Sequence, residues 1–314
     1  MTAAREPTPV EAPTERRHSG SLDLDLLPTL DLLTLINNED ALVAPAVEVA
    51  LPRIAVAVEL AVNALGTGGS VHYFGAGTSG RIAAMDAAEL PPTFGLAPGR
   101  VIAHHAGGAD AMETALEDVE DDGESGAADA RTLQPGDLAV GLTASGRTPY
   151  VAGALREARS AGAHTVLVSA NPDAELAELA DVHVCVATGP EVLTGSTRMK
   201  AGTAQKLVLN AFSTATMVRL GYTYSNLMTH VVAKNAKLHG RMVAILAEAS
   251  GRDYDACAQV LRDSDGDLKL ALVRLLGDVD AERARTALDA AGGIIRAALR
   301  HLDSDLPTIP RRDQ

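Results

Sequence analysis

The stretches Gly75-Ala76-Gly77-Thr78-Ser79-Gly80-Arg81, Thr143-Ala144-Ser145-Gly146-Arg147-Thr148-Pro149 and Thr194-Gly195-Ser196-Thr197-Arg198 each set glycines among hydroxyl side chains. Glycine lets a backbone approach an anion closely, and Thr78, Ser79, Thr143, Ser145 and Thr148 add hydrogen-bond donors with little bulk. The ligand such loops suit is a phosphate. A Ser or Thr ahead of a helix also serves as an ordinary cap, so one loop decides little; three together favour a site. Gly75, Gly77 and Gly80 match the dinucleotide fingerprint in spacing. That reading needs an acid for the ribose at the end of the second strand, where Pro91-Pro92 and His104-His105 stand instead.

The elements around these loops repeat one pattern. A β-prone run from Ser70 to Phe74 enters the first loop, and helical Ile82 to Leu90 follows. Asp137 to Leu142 enters the second, and a helix from Tyr150 to Ala161 and a strand from His164 to Ser169 follow. Val182 to Ala187 leads through the third into a long helix from near Met199. Alternation of this kind predicts a parallel sheet with helices on both faces, a three-layer α/β/α sandwich. In such sheets the loops after the strands lie together, where helix N-termini favour an anion.

Two helices, around Leu30 to Ile36 and Val47 to Leu65, precede the sheet, and an arm of some twenty residues rich in Pro, Thr, Glu and Arg precedes them. Beyond His230 the pattern is helical: a long helix through Leu246, then three short ones after Gly251, turning at Asp265-Gly266-Asp267 and Asp278-Val279-Asp280. The expected domains are an arm and helix over 1–52, a phosphate-binding α/β domain over 53–228 and a helical region over 229–314.

A net charge of -14, from 27 Lys and Arg against 41 Asp and Glu, has the wrong sign for a phosphate backbone. With no Trp, five Tyr and three Phe, stacking platforms are also scarce, so nucleic acid is not an expected partner. The apolar stretch from Ile54 to Leu65 is interrupted by Glu59 and is short of the roughly 20 residues a bilayer needs, so no membrane span is expected. Cys185 and Cys257 lack a CxxC partner, and no apolar run follows a basic start, which together suit free thiols in a cytoplasmic protein. His104-His105 has no Cys, Asp or Glu at zinc spacing, so no metal is expected.

The run Gly75 to Gly95, with Asp86-Ala87-Ala88-Glu89-Leu90-Pro91-Pro92-Thr93 at its core, and the run Thr194 to Lys206 are longer signals than any single loop. With Thr14-Glu15-Arg16-Arg17, Leu35-Ile36-Asn37 and Asn235-Ala236-Lys237-Leu238, they give the sequence a resemblance to the N-acetylmuramic acid 6-phosphate etherases, a family with the sugar isomerase (SIS) fold. Departures are mild: His18 stands where that family usually has Asn, and Leu90 where Cys is frequent. The resemblance implies hydrolysis of a D-lactyl ether to N-acetylglucosamine 6-phosphate and D-lactate, in recycling of cell-wall amino sugars. It implies Glu89 and Glu120 as catalytic carboxylates, with Gly77, Thr78, Ser79, Thr143, Ser145, Gly146, Arg147, Thr148, Ser196 and Thr197 binding the substrate. It implies no cofactor. Because SIS domains pair, and because the apolar N-terminal helices exceed what one sheet covers, a homodimer is expected.

Elimination makes chemical sense of two acids. Once the sugar opens to its aldehyde, the C2 proton is acidic and the ether lies β to the carbonyl; one carboxylate removes that proton, an acid protonates the departing lactate, and water adds at C3. From the residues alone, Glu89 is the last acid on a helix before a proline stop, and also reads as a solvated helix end. Glu120 lies in an acidic run typical of an exposed face, where Glu117 and Glu124 are alternatives. His239 comes next in line, and Arg147 and Lys200 suit either the phosphate or neighbouring acids. The rival functions are a SIS-type aldose-ketose isomerase, which releases no lactate, and a sugar-phosphate-binding regulator, which usually carries a duplicated SIS domain.

Overall fold

Strand β1 (Val71–Gly75) is buried throughout and is an interior strand of the protein's parallel sheet. The structure is a computed structural model that describes residues 12–114, 116, 118–230 and 236–304. Helices α1 (Thr29–Asp40) and α2 (Val43–Gly66) precede β1, and α3 (Gly77–Phe94) follows. Then come β2 (Val101–His105), the short α4 (Asp110–Glu113), α5 (Gly123–Ala130), β3 (Leu138–Leu142), α6 (Pro149–Ser160), β4 (His164–Ser169), β5 (Val182–Cys185) and α7 (Lys200–Arg219). A hairpin of β6 (Thr223–Tyr224) and β7 (Leu227–Met228) leads to α8 (Ala236–Ser250), α9 (Tyr254–Arg262), α10 (Leu268–Gly277), α11 (Ala281–Ala290) and α12 (Ile295–Ser304).

The chain divides into two compact units. Of the described residues, one holds those up to Ala88 and those within Pro98–Thr216; the other holds Glu89–Ala97 and those from Met217 onward.

In the first unit the strands run in the order β2-β1-β3-β4-β5, all parallel, with Gly75 level with both His105 and Leu142. Side chains alternate between two cores. Tyr73 meets Phe212 of α7, while Ile54 and Ala57 of α2 face Val140, Val166 and Val184. On the opposite face Phe74, Ala139 and Leu167 pack with Tyr150, Val151 and Leu155 of α6. This is the three-layer sandwich that the alternation predicts, with the chain reversing direction across the sheet between β1 and β3.

Four details depart from the sequence reading. The arm is folded from Ala12 onward: three 3-10 turns span Pro13–Glu15, Ser19–Ser21 and Leu24–Leu26, Thr14 is fully buried, and Ser21 Oγ donates to the Val192 carbonyl at 2.8 Å. Long-range contacts hold it, and these leave no periodicity to read. Pro91 and Pro92 do not stop α3, because Gly95 N–H still reaches the Pro91 carbonyl at 2.8 Å and Gly95, at φ 66°, closes the helix. β2 carries little strand signal in the sequence, because its last two residues are histidines and four of its five residues are only half-buried. Four helices, not three, follow Gly251 among the described residues: Asp253, Asp267 and Asp280 cap α9, α10 and α11, and α12 starts after Gly292-Gly293.

α1 buries none of its side chains, and Leu26, Leu30 and Leu33 are exposed. The stretch Thr29–Gly66 is long enough to cross a bilayer and contains an 18-residue window of mean hydropathy 1.8, although the run Ile54 to Leu65 alone is too short. It is broken at Ala41-Leu42, and α2 lays Val47, Ala50, Ile54, Ala57 and Ala61 into the core of the first unit.

His72 and His104 stack on adjacent strands, with His72 Nδ1 2.9 Å from His104 Nε2. Burial, and then the neighbouring ring's charge, push His72 down to about 4, and burial lowers His104 as well. Below the unfolded value of 6.5 the unfolded chain takes up protons that the fold refuses, so stability is expected to fall as pH drops from about 6.5 toward 4. Urea unfolding followed by circular dichroism at pH 7.5 and 4.5 checks this. His104→Leu, which removes one ring and the like charge beside the other, is expected to narrow the difference.

Candidate active site

The three glycines of the first loop each meet a steric demand. A Cβ on Gly75 would lie 2.7 Å from Gly80 N, and one on Gly80 would collide with the His105 ring and the Gly75 carbonyl. Gly77 opens α3 at φ 53°, a conformation that costs glycine little. The His105 ring nitrogens lie 2.7 Å from the Ala106 carbonyl and 3.1 Å from the Gly77 carbonyl. Thr78 and Ser79 are half-buried. One turn before Glu89, Asp86 fixes the rotation of α3: its carboxylate accepts from Tyr73 Oη at 3.0 Å and Ser213 Oγ at 2.9 Å. Burial raises the Asp86 carboxyl against those two hydrogen bonds.

The second loop shows why its hydroxyls are more than caps. Thr148 holds the N-cap position of α6 yet makes no capping bond. Its hydroxyl turns to Thr143 Oγ1 at 2.7 Å, and Thr143 Oγ1 also accepts from Gly146 N–H at 3.3 Å. Asn171 Nδ2 steadies the loop through the Ser145 carbonyl at 2.9 Å. Gly146, at φ 74°, passes Ala174 so closely that a Cβ would come within 2.8 Å of Ala174 Cα. The α6 N-terminus therefore faces Ser145 and Thr148 without a side-chain cap from Thr148, an arrangement suited to an anion. Arg147 is half-exposed and stands 3.0 Å from Glu175, off the axis of a hydrogen bond.

The third loop differs. Glu191, fully buried, accepts from the N–H groups of Lys200 and Ala201 at 2.9 Å each and so occupies the α7 N-terminus itself. Burial raises the Glu191 carboxyl against these bonds. Ser196 and Thr197 thus offer hydroxyls rather than a free helix end, and Gly202 beside Thr197 packs on Thr78, which brings the first and third loops together. Lys200 is buried against Glu39 at 2.5 Å, and Glu39 also meets His18 at 3.1 Å. Burial pushes the Glu39 carboxyl up, but the Lys200 ammonium and His18 outweigh it and hold it below its usual value. Lys200 is thereby committed to an acid, and the arm residue His18 belongs to the setting of this loop, which no local sequence signal revealed.

Glu120 is exposed on a 3-10 turn, Val119–Asp121, and walls a cleft of about 410 Å³ together with Gly77, Arg81, His105 and Leu116. The structure therefore sets Glu120 across from the first loop. Glu124 lies elsewhere, in a groove with Ala127, Gly153 and Arg156. Glu117 lies outside the described residues. Glu89 is exposed on α3, at the start of the second unit. His239 is exposed on α8.

Ser145→Ala is expected to weaken sugar-phosphate binding, because a hydrogen bond to a charged group contributes about 1.5–3 kcal/mol, roughly ten- to a hundredfold in affinity. Calorimetric titration with the substrate's product checks this, and unchanged affinity would place the phosphate elsewhere.

Residues 53–159 match the glucokinase regulatory protein N-terminal SIS domain, and residues 111–215 match the SIS domain. A phosphoheptose isomerase from Francisella tularensis superposes with a TM-score of 0.50 at 21% identity, covering 61% of this chain and all of that one, a likeness of fold. The N-acetylmuramic acid 6-phosphate etherase of Pectobacterium atrosepticum is 48% identical over 91% of this chain and 95% of its own length. That of Thermobifida fusca is 66% identical over 85% of this chain and 88% of its own. Identity of this order over nearly the whole length settles the family: the chain belongs to the N-acetylmuramic acid 6-phosphate etherases.

Proposed function

We propose that the protein hydrolyses the D-lactyl ether of N-acetylmuramic acid 6-phosphate, releasing D-lactate and N-acetylglucosamine 6-phosphate in cell-wall amino sugar recycling. The observation that carries this reading is the cleft joining Glu120 to the first glycine-hydroxyl loop in a chain two-thirds identical to such an etherase. The phosphate lies at the carboxyl ends of β1 and β3, where the chain reverses direction across the sheet and ligands of such sheets bind. Gly77, Thr78, Ser79, Thr143, Ser145, Gly146, Arg147, Thr148, Ser196 and Thr197 hold it. Glu120 removes the C2 proton or assists ring opening, and Glu89 protonates the departing lactate and then serves the incoming water.

Elimination and re-addition leave an isotopic record. In labelled water the product sugar is expected to gain solvent oxygen at C3 and solvent hydrogen at C2, read by mass spectrometry. Oxygen label in the lactate alone would mean displacement at the lactyl carbon and would overturn the mechanism; sugar isomerisation without lactate would overturn the function.

The protein acts as a cytoplasmic homodimer in this reading. Support comes from Leu26, Leu30, Leu33 and Val49, exposed on and beside α1 and α2, which a second copy would cover. Light scattering that gives one chain's mass across concentrations would refute it.

A further inference from the structure

We infer that Arg81 is a positioning residue for Glu120, tying the carboxylate-bearing segment to the first phosphate loop. The inference rests on the reading of Glu120 as a catalytic carboxylate. Arg81 follows Gly80 directly, in the first turns of α3, and its half-buried guanidinium reaches the main chain of another segment. Nε donates to the Met112 carbonyl at 2.9 Å and Nη2 to the Ala111 carbonyl at 2.8 Å.

Those carbonyls belong to α4, a helix of four residues, too short to satisfy its own C-terminal acceptors. A planar fork of donors suits two adjacent carbonyls; an ammonium group is a point charge and does not reproduce the pair. From α4 the chain continues to the Val119–Asp121 turn, and Leu116, Asp118, Val119 and Glu120 wall the same cleft as Arg81 and Gly77. Asp118 makes the bend into that turn at φ 64°, a left-handed conformation that Asp adopts more readily than most side chains.

The far end of the segment is already fixed. Asp122 caps α5 through Ser125 N–H at 3.0 Å, and α5 is locked against α6 at Gly126 and Gly153. Gly107 packs so tightly on Ala111, Leu116 and Val119 that an added Cβ would lie 2.9–3.3 Å from them. The segment bearing Glu120 is thus held at both ends, with Arg81 forming the tie to the loop. A phosphate that orders the loop would, through Arg81, also order Glu120.

The test measures lactate release by the full-length protein carrying Arg81→Gln, Arg81→Lys, Glu120→Gln or Arg81→Gln with Glu120→Gln. Arg81→Gln is expected to lower kcat about ten- to a hundredfold, since small misplacements of a catalytic group cost this much, with KM changed less than about threefold. Arg81→Lys is expected to resemble Arg81→Gln, because fork geometry rather than charge is lost; if Arg81→Gln does not fold, Arg81→Lys carries the comparison. The double variant is expected to be no slower than Glu120→Gln alone. A raised KM with activity restored by Arg81→Lys would make Arg81 a phosphate ligand and overturn the inference. A slow Glu120→Gln whose effect multiplies with that of Arg81→Gln overturns the inference alone, whereas a Glu120→Gln of wild-type rate overturns the Glu120 reading and the inference with it.

Discussion

Glu89→Gln is expected to reduce lactate release by about 10²- to 10⁴-fold while leaving sugar-phosphate binding intact, the span that a positioned general acid contributes. The amide keeps the size and much of the polarity of the carboxyl but has no proton of the right acidity to give. A lactate alkoxide is a poor leaving group, so elimination stalls at C–O cleavage. The C2 proton is handled separately, and exchange of C2 hydrogen with solvent is expected to persist in Glu89→Gln after lactate release has gone. Glu120→Gln is expected to depress both processes together, because a sluggish deprotonation holds back everything after it. Measuring exchange by mass spectrometry beside an enzymatic lactate assay separates the two carboxylates. Exchange lost in Glu89→Gln and kept in Glu120→Gln would reverse their roles. Wild-type behaviour of Glu120→Gln in both assays would turn attention to Glu117 and His239.

The strands that feed the loops were legible from residues because each is a short apolar run against a glycine-hydroxyl loop, and β4 matches its expected span, His164 to Ser169. The catalytic candidates were legible only through long motifs. An exposed Glu at a helix end and another in an acidic run look alike to burial and periodicity. The setting of the third loop was not legible at all. Its helix N-terminus is filled by Glu191, and its Lys200 is paired with Glu39, 161 positions earlier. Pairings over such distances in sequence follow from packing, and no local pattern encodes them. Nor did composition reveal that β2 carries a histidine stacked on its neighbour's histidine, since the pair exists only once β1 and β2 are side by side.

Gly153→Ala is expected to destabilise the first unit by about 3 kcal/mol, the upper end for overpacking, and to lower its melting temperature by roughly 6–12 °C. α5 and α6 meet backbone to backbone. A Cβ on Gly153 would collide with the Gly123 carbonyl and stand 2.8 Å from its carbon, while a Cβ on Gly126 would do the same to Tyr150. Neither obstacle is the end of a flexible side chain, so the helices themselves must part. Parting them moves Gly123, the first residue of α5, and with it Glu120 on the preceding turn. Lactate release is therefore expected to fall even at temperatures where Gly153→Ala remains folded. The same substitution at Gly240 should have the opposite sign. Gly240 lies within α8, and among the described residues an added Cβ meets only the Tyr254 hydroxyl, at an ordinary 3.6 Å. Replacing a helical glycine by alanine where space allows stabilises by about 0.4–1 kcal/mol, chiefly by restricting the unfolded chain. Thermal unfolding of both variants, followed by circular dichroism, sets the two against each other. Equal, small shifts would mean that the α5–α6 crossing is looser than its carbonyl contacts indicate.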